Sequence, residues 1–317
     1  MKSKQVAILD TGYDSYIYEQ ELFAQQGFDL IIYEGEPRNK KAKYKFAQNA
    51  SGILVRELLI DKEALGSMPH LKAIVRYGVG YDNIDLDTTR EKSIRVANVQ
   101  GYANHSVSDH ALALLLACTR DLEGSRKGTF SKPSRKDVLE LHDKTIGIVG
   151  IGQIGSQFSL KVSALFNRVL AYDPYKTEDY MAKYKAEKVE LPTLFNECSV
   201  ISLHCNLTPE TRHLINGSAI GSMKKRPVIV NTSRGAVIDE KALLEALNSG
   251  GIHSAGLDVF EKEPPGEEQR ELMNHPQVAY TPHIAWYSET SIVTLQRKAA
   301  RNLIGLLNGQ RIEDELL

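Results

Sequence analysis

A chain of 317 residues is long for one compact core and suits two domains. With 42% hydrophobic and 25% charged residues it has neither a disordered nor a fibrous composition. A formal net charge of −1 gives no electrostatic footprint for nucleic acid or an anionic membrane, so small-molecule partners are predicted. The early apolar run Val6–Leu9 is too short for a signal-peptide core, and the longest run, Ala111–Cys118, falls far below the ~20 residues a bilayer crossing needs. A soluble, cytoplasmic protein is therefore expected. Cys118, Cys198 and Cys205 are odd in number, lack CxxC spacing and sit in apolar stretches. They read as reduced core thiols, with no metal site.

Short Val- and Ile-rich runs alternate with helical patterns along nearly the whole chain, which predicts parallel sheets with crossover helices. A first series of strands is expected at Gln5–Asp10, Asp29–Tyr33, Gly52–Val55, Leu71–Arg76 and Arg95–Val99. Next, Val107, Ala111, Leu114, Leu115 and Cys118 recur at helical spacing, predicting a long helix over Asn104–Arg120. The polar stretch Glu123–Lys144 reads as a solvated loop. A second series follows at Thr145–Gly150, Arg168–Tyr172, Val200–His204, Pro227–Thr232, Ser254–Asp258 and Val278–Tyr280, matching a doubly wound dinucleotide fold. Ser288–Gly309 closes the chain as a helix expected to return to the first domain, and no segment of regulatory size follows it. The predicted organisation is a discontinuous substrate domain, residues 1–102 plus 285–317, around a Rossmann domain at 103–284.

Gly150-Ile151-Gly152-Gln153-Ile154-Gly155 directly follows a predicted strand and opens a helical pattern. In that context the first glycine makes the tight turn, the second admits a pyrophosphate to the backbone, and the third lets the helix pack closely. Asp173 ends the next strand, where a carboxylate accepts from the adenosine ribose hydroxyls and repels a 2′-phosphate; NAD is therefore favoured over NADP. Three further residues follow consecutive late strands: Arg234, Glu263 and His283. Ligands of open parallel sheets bind beyond the carboxyl ends of the strands, so these side chains are expected to converge. Arg234 suits a substrate carboxylate, His283 suits proton transfer near neutral pH, and Glu263 suits the second imidazole nitrogen. Singly, each has a plainer reading: a loop cation, a member of an acidic run, a histidine held by Pro282.

These residues resemble the D-isomer-specific 2-hydroxyacid dehydrogenases, including their phosphoglycerate dehydrogenase and C-terminal-binding-protein-like members. The likeness rests on Gly147–Gly155, Asn231–Gly235 with Val237–Asp239, Gly256–Pro264 and Thr281–Trp286. It implies two doubly wound parallel α/β domains, one Rossmann and NAD-binding and one flavodoxin-like, with Arg234, Glu263 and His283 as the catalytic trio. It further implies that backbone N–H groups of Val79 and Gly80, with Arg76 nearby, hold the substrate carboxylate. By the same likeness Thr208, Ser233 and Asp258 become nicotinamide- or ribose-side contacts, Trp286 stands near the substrate or in the core, and homodimers form through the nucleotide domain and the Asn104–Arg120 region. Asp109 departs from the Glu common beside His110, which leaves the catalytic trio intact. Three functions are compatible: a general D-2-hydroxyacid dehydrogenase acting on a small 2-hydroxy or 2-oxo acid, a D-3-phosphoglycerate dehydrogenase, and an NAD(H)-sensing scaffold like the corepressors. The lack of a regulatory-sized extension weighs against the second.

Overall fold

A computed structural model describes residues 4–122, 124 and 137–316. Most of the expected loop Glu123–Lys144 lies outside the described residues. The chain divides into two compact units, Met1–Ala103 with Ser288–Leu317, and Asn104–Tyr287. Residues 285–287 belong to the second unit because Ala285 N–H binds Asp258, Ala285 C=O binds Ser106, and the Trp286 indole binds the His283 carbonyl. That places the second crossing point three residues later than Ala285.

The first unit carries the strands β1 (Gln5–Ile8), β2 (Asp29–Ile32), β3 (Gly52–Val55), β4 (Ala73–Arg76) and β5 (Arg95–Ala97). All pair in parallel in the order β2-β1-β3-β4-β5, the flavodoxin-like order the resemblance implies. One face packs Leu9, Ile53, Val55, Ile74 and Val96. The other face receives helices Ile17–Gln25 and Glu289–Leu307. Gly52 permits this: a Cβ there would come within 2.9 Å of Leu303. Ser288 caps the last helix and Gly309, at φ +75, ends it in the left-handed conformation that costs glycine nothing.

The second unit has β6 (Thr145–Val149), β7 (Arg168–Tyr172), β8 (Glu187–Lys188), β9 (Val200–Leu203), β10 (Val228–Asn231), β11 (Ser254–Leu257) and β12 (Val278–Tyr280). They form an all-parallel sheet in the order β12-β11-β10-β9-β6-β7-β8. Six strands were expected here. The additional β8 pairs with β7 at only Leu170↔Glu187 and Ala171↔Lys188, and two charged residues at an edge carry no apolar period to find. β8 is thus the third strand of the Rossmann half-sheet, and β12 is a seventh. Strands β6, β9, β10 and β11 show near-continuous burial, as a sheet covered on both faces requires: Ile229 packs on one side, Val228 and Val230 on the other. Cys118 and Cys198 are buried and Cys205 half-buried, none in a disulfide; burial pushes the Cys198 thiol up to about 12. Among the described residues no helix is long and apolar enough to cross a membrane.

Candidate active site

Strand order decides where the chemistry sits. β6 and β9 are neighbours at which the sheet order reverses, and the glycine loop leaves β6 at this switch point. Gly150 adopts φ +87, and a Cβ on it would press within 2.7 Å of the Cys205 backbone. Gly155 lies so close to Gly150 O that a Cβ would fall 2.1 Å away, whereas Gly152 faces open space. Helix Gln153–Val162 starts directly after Gly152, leaving Gln153 and Ile154 N–H in its unpaired first turn. Asp173, at the end of β7, is 9% exposed and ties the loop together: its carboxylate accepts Ile151 N–H at 3.0 Å and Tyr175 N–H at 2.9 Å. Thr208 lies exposed on the loop after β9, where its N–H donates to Thr211 Oγ1.

Three adjacent strands deliver the other residues. Asn231 pairs with Leu257 and Leu257 with Tyr280, so β10, β11 and β12 end level with one another. After β10, Asn231 shapes the turn. Its Oδ1 accepts Ser233 N–H and Ser233 O–H at 3.0 and 2.9 Å, and its Nδ2 donates to Arg234 O at 2.9 Å. This fully buried asparagine was not read as a site residue from the sequence, although its place at a strand end before a turn is a signal for such side-chain to backbone bonding. Gly235 then brings the Arg234 turn against the loop after β11, for a Cβ on it would lie 1.9 Å from the Phe260 carbonyl carbon.

Glu263 and His283 meet, with His283 Nδ1 2.6 Å from Glu263 Oε2. The other carboxylate oxygen accepts Phe260 N–H at 3.1 Å. Burial alone would raise the Glu263 carboxyl. The His283 hydrogen bond and charge, the Phe260 N–H and the Arg234 charge outweigh it and hold the group below its ordinary value. The pair is open to solvent, with 42% of the His283 side chain and 35% of the Glu263 side chain exposed. His283 itself stands at φ +54, a left-handed conformation unusual for a non-glycine residue. Since Nδ1 faces Glu263, Nε2 is the ring nitrogen not engaged in this pairing.

Asp258 was expected to face the cofactor. In this structure its carboxylate is 1% exposed and accepts Thr281 O–H and Ile284 N–H on one oxygen and Ala285 N–H on the other, so it anchors the His283 loop. The half-buried Trp286 donates its indole N–H to His283 O at 2.9 Å, which sets it beside the histidine. In the first unit, Gly78 takes φ +130 and Asn98 holds Val79 O at 2.6 Å. Among the described residues the N–H groups of Val79 and Gly80 make no hydrogen bond, while Arg76 donates to Tyr77 O.

Comparison with known proteins identifies the family. Residues 111–285 match the model of the D-isomer specific 2-hydroxyacid dehydrogenase NAD binding domain. A hydroxypyruvate reductase of Thermotoga maritima is 42% identical over 240 residues, covering 74% of this chain and 76% of its own. A glyoxylate reductase of Korarchaeum cryptofilum is 34% identical over 299 residues, 90% of this chain and 89% of its own. Among solved structures, D-lactate dehydrogenase of Aquifex aeolicus, complexed with NAD and lactic acid, superposes with a TM-score of 0.85 at 30% identity, covering 96% of both chains. The chain belongs to the D-isomer-specific 2-hydroxyacid dehydrogenases, NAD-dependent oxidoreductases acting on the CH–OH group.

Proposed function

We propose that this protein reversibly reduces a small 2-oxo acid to the D-2-hydroxy acid, with Arg234 holding the substrate, His283 as acid and base, and Glu263 supporting His283. The observation that carries this reading is the 2.6 Å pairing of His283 Nδ1 with Glu263 on loops leaving adjacent strands. The residues around Gly150–Gly155 suit a dinucleotide. Open space at Gly152, the helix N-terminus behind it and the carboxylate of Asp173 match a pyrophosphate and an adenosine ribose. Gly150, Gly152, Gln153, Ile154, Gly155 and Asp173 would hold NAD, with Thr208 and Ser233 on its nicotinamide or ribose side. When bound there, NAD(H) supplies or takes the hydride at the substrate carbon.

The side chains do the rest. The planar guanidinium of Arg234 pairs with the substrate carboxylate and polarises the carbonyl. His283 Nε2 gives its proton to the carbonyl oxygen in reduction and recovers it in oxidation. Glu263 keeps the ring's other nitrogen protonated and compensates the positive charge. Val79 and Gly80 N–H, with Arg76, offer a further anion contact, and Trp286 walls the substrate side. A homodimer formed through the nucleotide domain and the Asn104–Arg120 region belongs to the same proposal.

A panel of 2-oxo acids, phosphohydroxypyruvate included, tests it by loss of NADH absorbance. Turnover of hydroxypyruvate, glyoxylate or pyruvate supports the reading, and preference for the phosphorylated acid moves it to a phosphoglycerate dehydrogenase. Tight NADH binding without turnover of any acid overturns it in favour of a sensing scaffold.

A further inference from the structure

The loop that presents His283 is gripped from behind by one helix. Helix Asn104–Thr119 packs across β10, β11 and β12, and it comes close because Gly256 has no side chain; a Cβ there would meet Leu114 Cβ at 2.9 Å. Ser106 and His110, one turn apart, therefore lie on the same helix face. Ser106 Oγ donates to Ala285 O at 2.9 Å, and His110 Nε2 stands 2.8 Å from Thr281 Oγ1. The two contacts grasp opposite ends of the segment 281–285, with His283 at its middle.

The direction of the hydrogen bonds follows from counting protons. Asp258 accepts two backbone N–H groups and, as a carboxylate, has no proton to give. Thr281 has one hydroxyl proton, and its oxygen is 2.6 Å from Asp258 Oδ1, so that proton goes to Asp258. The remaining partner of Thr281 Oγ1 must then be the donor, which makes His110 the Nε2–H form. A chain runs from His110 through Thr281 to Asp258, whose Oδ1 also lies 3.5 Å from His110 Nε2. Asp258 in turn fixes Ile284 and Ala285 through its side chain and His283 N–H through its backbone oxygen at 2.8 Å. Such fixing is what a non-glycine residue at φ +54 requires, since this conformation persists only where its surroundings over-determine it.

We propose that His110 is a positioning residue for the reaction: acting through Thr281 and Asp258, it holds the 281–285 loop so that His283 meets Glu263. The proposal rests on the reading of His283 as acid and base. Its neighbour Asp109 serves a different purpose, pairing with Lys161 at 2.7 Å.

The test compares His110→Leu, His110→Gln, Thr281→Val and Thr281→Ser in the full-length protein. A glutamine amide can reach where Nε2–H lies and a serine keeps the hydroxyl, so these two are expected within about threefold of the parent kcat. Leu and Val should each lower kcat about tenfold, the scale of one lost hydrogen bond, with NADH affinity and the KM for the oxo acid within about twofold. A second readout needs no turnover: in histidine-labelled protein, the His283 ring signals should stay sharp and in place in the Gln variant and shift or broaden in the Leu variant. Equal kcat in His110→Leu and the parent, equal damage from Leu and Gln, or unmoved His283 signals in the Leu variant would each overturn the proposal. If the parent turned over no 2-oxo acid while the signals behaved as stated, the loop arrangement would stand and the reaction assigned to it would fall.

Discussion

Replacing Glu263 by Gln removes one charge while keeping an oxygen that accepts the His283 Nδ1–H. With Nδ1 and Oε2 at 2.6 Å, the charge centres are about 4 Å apart, worth about 1 kcal/mol in water and about 4 kcal/mol at an effective dielectric of about 20. The side chains are 42% and 35% exposed, so solvent screening places the interaction toward the lower end, about 1–2 kcal/mol. Glu263→Gln should therefore lower kcat/KM for the oxo acid by about 5- to 30-fold and leave NADH affinity within about twofold. The pH dependence has a defined sign. The Glu263 carboxyl is held below its ordinary 4.5, so its charge is present above that value and lost as pH falls through the lowered one. Below that lowered value the parent has lost the charge the variant lacks, so the two should converge at acid pH. Steady-state NADH absorbance and NADH fluorescence titration measure both quantities. A rate within twofold of the parent at neutral pH would refute the pairing, and parallel loss of NADH binding would make Glu263 structural.

Asp173→Ala should weaken NAD more than NADP in fluorescence titrations, because the parent carboxylate repels a 2′-phosphate; both should weaken somewhat, since Ile151 N–H and Tyr175 N–H lose their acceptor. Equal losses would remove Asp173 from the ribose site. Gly235→Ala places a Cβ 1.9 Å from the Phe260 carbonyl carbon and must part the Arg234 and Glu263 loops. It should cost at least about tenfold in kcat/KM together with about 1–3 kcal/mol of stability, and unchanged turnover would contradict the tight contact. In the first unit, Asp10→Ala strands the buried Lys43 ammonium at 2.6 Å and the N–H groups of Arg56, Glu57 and Leu58, a loss of about 3–5 kcal/mol by urea unfolding. Burial raises the Asp10 carboxyl, but Lys43 and the loop amides outweigh it and hold it below 3.8; its stabilisation is therefore present above that value and fades as pH falls through the lowered one. A cost under about 1 kcal/mol at neutral pH would contradict this.

The strands that were legible are those whose chemistry is their position. Val228–Asn231 and Gly52–Val55 are apolar at nearly every residue because parallel sheets bury both faces, and β7 and β12 appear with their expected bounds. The edge strand Glu187–Lys188 has no such burial and so left no pattern. The convergence of Arg234, Glu263 and His283 was inferable because each follows a strand and the carboxyl ends of parallel strands share one side. Loop conformation was not. That Asp258 turns inward to serve the His283 loop, and that Asn231 and Thr281 bond within their turns, depends on backbone N–H groups whose directions a side-chain pattern does not encode. The assignment of residues 285–287 to the second unit was hidden for the same reason, resting on hydrogen bonds from Ser106, Asp258 and Trp286.

The most direct measurement is the kcat/KM of His283→Gln for whichever 2-oxo acid the parent reduces best, taken beside the NADH dissociation constant of the same variant. A proton donor removed from the reacting oxygen should cost about 10²- to 10⁴-fold in rate and leave the nucleotide bound as before. Turnover within tenfold of the parent, or nucleotide affinity that collapses along with the rate, would show that this imidazole is not the acid and base of the reaction.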